Sequence, residues 1–126
     1  MDEASVKQYL LSKPESVLDY PFTPDVAVFK INNKMFATLA VEQDLARCNL
    51  KCDPDEALML RDIFSSVLPG YHMNKRHWNT LILDGSIPST EITRMIDRSY
   101  ALVIKGMKKA DRTALEIRHG LEALYD

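Results

Sequence analysis

Apolar residues recur along the chain at two spacings, and the switches between them mark out the elements. Val6, Tyr9 and Leu10 follow a helical period, which predicts a helix from about Ala4 to Ser12 that Pro14 stops. Each proline biases its predecessor away from helix, so Asp19 to Pro24 reads as an extended loop. Val26 to Ile31 is rich in β-branched and aromatic residues and predicts a strand. Asn32-Asn33 then supplies a turn, because asparagine tolerates positive φ, and Met35 to Val41 returns as the paired strand. A third strand is expected from Arg47 to Cys52.

The second half opens with a helix start: Asp53 as N-cap, Pro54 in the first helical position, and Asp55 and Glu56 at the positive end of the dipole. Glu56 also has the spacing to close a capping box onto Asp53. Ala57, Leu60, Phe64 and Val67 form an apolar stripe, which predicts a helix running on to a stop at Leu68-Pro69-Gly70. A short strand is expected from Tyr71 to Asn74 and a longer one from Trp78 to Leu83. Alternation sets Leu81 and Leu83 on one face of the longer strand, with Trp78, Thr80 and Ile82 on the other. After an Asp84-Gly85 turn, Ser89 is expected to cap a long helix with Ile92, Ile96, Ser99 or Tyr100, and Val103 on its buried face. The tail from Ala110 to about Leu124 reads as one further amphipathic helix.

The order is thus helix, three strands, helix, two strands, helix and a tail helix. It predicts a two-layer α+β sandwich with an antiparallel sheet, one face of which is left to solvent or a partner. No repeat or linker divides the sequence, so residues 1–126 are expected to form one domain, with 109–126 as a C-terminal helical extension.

Composition narrows the function classes. The 126 residues are 46% hydrophobic and 27% charged, as in an ordinary globular protein. A net charge of −2 makes the whole molecule a poor electrostatic lure for nucleic acid, so any such binding requires a local patch. The charge is uneven enough to permit one. From Val26 to Cys52 the bases Lys30, Lys34, Arg47 and Lys51 outnumber Glu42 and Asp44, and from Val67 to Leu83 only Lys75 and Arg76 are charged. The simpler account is scattered, solvated charge. The acidic start lacks a basic segment followed by an apolar core, and no apolar run approaches bilayer length, so a cytoplasmic protein with no membrane association is expected. Cys48 and Cys52 fit that compartment as reduced thiols: their spacing is C-x3-C, and on a strand both would point into the core.

Catalytic chemistry finds no foothold. The sequence has no nucleophile elbow, glycine-rich phosphate loop or P-loop lysine, and its acids sit where helix caps and first turns want them. His72 and His77 lie close together without further ligands converging on them. No catalytic residue, metal or cofactor is therefore expected.

What remains is the segment from His72 to Pro88, which concentrates two of three histidines, the only tryptophan and an adjacent basic pair. Cations can pair with phosphate while an indole offers a stacking face. Asn74, Lys75, Arg76, His77 and Trp78 could line a strand edge beside Lys34 from the hairpin tip and Lys51 from the third strand. Together they make a candidate site for weak, salt-sensitive DNA binding. The competing account makes Trp78 a core or rim residue and Lys75-Arg76 a solvated turn.

Three blocks in order, Cys48-Asn49-Leu50-Lys51-Cys52-Asp53-Pro54, the His72 to Pro88 stretch and Ile92 to Val103, resemble the MmcQ/YjbR family of small bacterial proteins. The resemblance covers about Val6 to Met107 and leaves out the tail after Lys109. It implies a secretion-chaperone-like α+β fold and a DNA-binding protein with two strand-turn-strand wings. The wings would be the Asn32-Asn33-Lys34 hairpin and the Asn74 to Trp78 connection. A protein-interaction or chaperone-like module is the alternative, which an exposed apolar sheet or helix stripe would favour.

Overall fold

The computed structural model describes residues 1–70 and 73–126. Among the described residues five helices and six strands run α1 (Glu3–Ser12), β1 (Val17–Asp19), β2 (Ala27–Ile31), β3 (Lys34–Glu42), β4 (Leu45–Lys51), α2 (Pro54–Ile63), β5 (Val67–Pro69), β6 (Trp78–Ile82), α3 (Ser89–Lys105), α4 (Lys109–His119) and α5 (Leu121–Tyr125). All strands join one antiparallel sheet in the order β1-β2-β3-β4-β6-β5. The expected α+β class and antiparallel sheet are what the chain forms.

Period-two alternation decides what each side of the sheet holds. Phe29, Ala37, Leu39, Cys48, Leu50 and Leu81 are buried against the helical layer. From that layer Ile92, Ile96, Tyr100, Val103 and Ile104 of α3 meet them. The β2–β3 hairpin turns through Asn32 (φ 49°) and Asn33 (φ 63°), and β3–β4 through Gln43 (φ 53°) and Asp44 (φ 65°). Paired positive φ values make turns whose twist suits flanking strands. The register slips between Phe29 and Lys30, whose partners are Ala37 and Met35. This bulge leaves Phe36 unpaired and sends it into the core, where its ring meets Tyr100 edge-on at 5.3 Å. Beside the bulge, buried Ser99 donates to the Phe36 carbonyl (2.6 Å) and accepts from the Lys51 amide (2.9 Å), fastening α3 to two neighbouring strands.

Several expected boundaries move. The second helix ends at Ile63, because Phe64 turns extended (φ −116°, ψ 119°) and Val67 begins β5. The Ser66 carbonyl takes up the Ile82 amide there, a sheet bond that outcompetes further helical turns. Within the expected Tyr71 to Asn74 strand, Met73 and Asn74 are in no strand; Tyr71 and His72 lie outside the described residues. An unforeseen strand, β1, pairs with β2 and takes Asp19 out of the expected Asp19 to Pro24 loop. Asp53 caps α2 through bonds from the Asp55 and Glu56 amides, but Glu56 does not reach back to it: its carboxylate holds Arg94 and Arg98 at 2.8 Å each. Pro88, not Ser89, occupies the N-cap of α3, without a side-chain bond. The tail is two helices, divided at Gly120, whose φ of 84° suits a residue without Cβ. Among the described residues no helix is long and apolar enough to cross a membrane.

The core can be tested at two points. Ser99→Ala strands a buried carbonyl and a partly buried amide, so urea unfolding should show a loss of about 1–3 kcal/mol for each group left unsatisfied, whereas Ser99→Thr should retain part of it. Cys48 and Cys52 are free and buried. Burial pushes the Cys48 thiol up to about 12, and burial with the nearby Glu56 and Asp53 charges pushes Cys52 up to about 11, from an ordinary 9.0. Both thiols stay protonated in the folded chain while the unfolded chain ionises. Their contribution to stability is therefore complete below about pH 9 and declines as pH rises from 9.0 towards 11 and 12. Iodoacetamide at pH 8 should label neither until denaturant is added; fast labelling of the native protein would show the burial to be wrong.

Candidate functional site

The candidate site grows from the face of the sheet turned away from the helices. On β4, Cys48 and Leu50 point to the helices, so Arg47, Asn49 and Lys51 take the other parity. The register sets Thr38 opposite Asn49 and Asn49 opposite Thr80. Their side chains form a ladder across three strands: Asn49 Nδ2 donates to Thr38 Oγ1 (2.9 Å) and Thr80 Oγ1 donates to Asn49 Oδ1. Hydrogen bonding of this kind allows polar groups to lie this deep.

A cleft of about 480 Å³ lies over the ladder. Phe22 and Val26 from the β1–β2 loop line it, as do Met73 and Asn74 from the β5–β6 connection, Met35 and Trp78. Met35 is there because of the bulge: opposite Lys30, it returns to the parity of this face while Phe36 goes inward. Arg47 also lines the cleft, and its buried Nε makes no hydrogen bond; the Glu42 carboxylate stands 3.7 Å away. A second hollow of about 200 Å³ adjoins these residues, lined by Arg47, Lys75, Thr80, Leu68 and Pro69.

The candidate residues occupy distinct places around this cleft. Trp78 is half-buried on its wall, and its register partner Lys51 shares its parity. Lys75 and Arg76 are exposed in the turn before β6, with Lys75 on the second hollow. Asn74 shapes that turn: its Oδ1 accepts from the Arg76 amide (2.9 Å) and its carbonyl from the His77 amide (3.1 Å). The His77 carbonyl in turn accepts from the Cys52 amide (2.7 Å). Lys34 stands apart. It is opposite Ile31, a core residue, so it lies at the hairpin tip with the parity of the helical side. The structure thus brings Lys51, Asn74, Lys75 and Trp78 around one face, with Arg76 on the adjoining turn, and leaves Lys34 off it. Among the described residues, no carboxylate pairs with Lys34, Lys51, Lys75 or Arg76.

The helical layer holds this turn from behind. Arg61 of α2 donates through Nε to Asn79 Oδ1 (2.7 Å) and through its terminal nitrogen to the Lys75 carbonyl, while Asn79 Nδ2 donates to the Ala57 carbonyl (3.4 Å). Gly70 packs so close to Trp78 that a Cβ there would fall 2.7 Å from the tryptophan Cβ, so only glycine fits. Phe22, Met35, Thr38 and Asn49 had no place among the sequence candidates. Parity along Arg47-Asn49-Lys51 was the signal available for Asn49; nothing local marked Phe22, which arrives from a loop.

A single antiparallel sheet with helices on one side and an aromatic cleft on the other defines a small two-layer α+β domain. Residues 11–102 match the YjbR family model, and the chain belongs to that family. It is 35% identical over 116 residues to the uncharacterized protein YbdF of Escherichia coli O157:H7, covering 89% of this chain and 95% of the relative. It is 30% identical over 115 residues to the uncharacterized protein YjbR of Escherichia coli K12, covering 91% and 98%. Among solved structures, a Deinococcus radiodurans protein with a DUF419 domain superposes with a TM-score of 0.84 at 35% identity, over 90% of this chain and 87% of that one. A Pseudomonas syringae protein superposes with a TM-score of 0.73 at 31% identity, over 82% and 99%.

Arg61→Ala should destabilise the protein by about 1–3 kcal/mol, since it leaves the buried Asn79 amide oxygen without its donor. Amide hydrogen exchange should quicken across residues 75–79 while β2 and β3 stay protected. Unchanged exchange in that segment would show that Arg61 does not hold the turn.

Proposed function

We propose that the protein is a non-enzymatic DNA-binding protein that uses the sheet face around Trp78. One observation carries this reading: Lys51, the register partner of Trp78, and Lys75 and Arg76 in the turn just before it are not paired with a carboxylate among the described residues, while Trp78, the only tryptophan, lines a cleft together with Phe22. Lys and Arg contact phosphates regardless of sequence, and each contact releases condensed counterions. With three such cations on a chain of net charge −2, the binding is weak and salt-sensitive. The wing resemblance supports the same surface, with the Asn74 to Trp78 connection as its centre and the Lys34 hairpin tip as an outlying contact.

A protein-interaction module is the second reading. Leu58, Met59 and Ile63 of α2 are each about three-fifths exposed, an apolar set on the opposite layer. Met59→Lys with Ile63→Lys should leave DNA affinity unchanged if the first reading holds.

Lys75→Gln with Arg76→Gln should weaken binding to every DNA sequence alike. It should also flatten the plot of log affinity against log salt by about 1.4–1.8, at about 0.7–0.9 for each phosphate no longer neutralised. Fluorescence anisotropy at several salt concentrations measures both. A preserved slope would place the phosphates elsewhere, and no binding of any DNA at low salt would leave the protein-interaction reading.

A further inference from the structure

The geometry points to the cleft as the seat of one unpaired nucleobase, with its phosphate in the adjoining Arg47–Lys75 hollow, so that the protein selects single-stranded over duplex DNA. This rests on the DNA-binding reading and deepens it. A volume of about 480 Å³ lies within the range of small-molecule sites. Its aromatic residues come from two separate segments: Trp78 begins β6, and Phe22 stands in the β1–β2 loop with 69% of its surface exposed. An exposed phenylalanine adds nothing to the core, and it borders the same cavity as the only tryptophan. Stacking against such side chains accepts any base, because every base has a π-face.

The floor supplies the polar half of the fit. Thr38 Oγ1 accepts from Asn49 and keeps its own proton to give; Asn49 Nδ2 spends one of its two N–H groups on that bond. Arg47 Nε is buried and lacks any hydrogen bond. These donors match the keto oxygens and ring nitrogens along a base edge, or a phosphate oxygen. The second hollow sets Lys75 beside Arg47 and Thr80; Lys75 has no carboxylate partner among the described residues, while Arg47 faces Glu42 at 3.7 Å, so Lys75 is the cation left to meet a phosphate. Paired bases in a duplex hide their edges and stack on each other, so only an unpaired base can enter a cleft of this shape.

The experiment titrates the protein with three ligands of equal length, a short oligothymidylate, the same oligomer with abasic sites, and a duplex, while following Trp78 emission and anisotropy. The expected result is that oligothymidylate quenches Trp78 and binds about 5- to 150-fold more tightly than the abasic oligomer, the range that base-aromatic stacking is worth. Phe22→Ala, at a position too exposed to matter for folding, should weaken oligothymidylate binding by a comparable factor and leave the abasic strand unaffected. Equal affinity for all three with unchanged emission overturns the base site while leaving phosphate binding intact. Equal quenching by duplex overturns the strand preference, and failure of all three to bind at low salt removes the DNA-binding reading itself.

Discussion

The hydroxyl of Ser99 is the interaction on which both faces of the sheet depend. At the bulge the β3–β4 ladder stops at Ala37 and Leu50, and the next backbone groups, the Phe36 carbonyl and Lys51 amide, are joined through Ser99 instead of to each other. A helix side chain inserted between strands replaces a ladder bond without leaving a polar orphan. It fixes the depth of α3, and with it the contact of Tyr100 on Phe36. The same bulge delivers Phe36 to the core and Met35 to the cleft, so one irregularity serves packing on one side and the site on the other.

The magnitudes separate what builds the site from what decorates it. Arg94 and Arg98 grip Glu56 from α3, and although burial alone would raise its carboxyl, their hydrogen bonds and charge hold it below the usual carboxylate value. Both arginines are roughly half exposed, and pairs of that kind contribute about 0–1 kcal/mol each. Arg61 and Asn79 involve a nearly fully buried amide, where removal of a partner costs more. The turn carrying Lys75 and Arg76 is accordingly anchored through backbone carbonyls and a buried amide, which leaves its charged side chains out of the structural network.

Local signals read well wherever local chemistry decides the outcome. Asp53-Pro54, Asn32-Asn33 and the alternation of Trp78 to Leu83 were all legible, since a cap, a positive-φ turn and a pleat are properties of neighbouring residues. The end of α2 was not: Phe64 and Val67 continue the helical stripe of Ala57 and Leu60, and what extracts them is a bond from Ile82, on a separate strand, to Ser66. Ser99 was legible as a buried helix position but not as a bridge, because its partners come from two distant strands. For the site, the segment from Asn74 to Trp78 stood out by composition, whereas Phe22 and the Thr38–Asn49–Thr80 ladder required the register of the strands before they could be seen as one surface. Lys34 was grouped with the other cations by charge and by its place at the hairpin tip, and the bulge sets it on the other parity.

The two outer strands carry a consequence for how molecules of this protein meet one another. Each is only three residues long, and β5 ends in Pro69, which has no N–H to offer. The two longest strands, β3 and β4, lie inside the sheet with both edges already paired. A neighbouring chain therefore finds almost no backbone ladder to extend. Strand addition, the route by which many sheet proteins aggregate when concentrated, is closed at both ends by brevity rather than by charge.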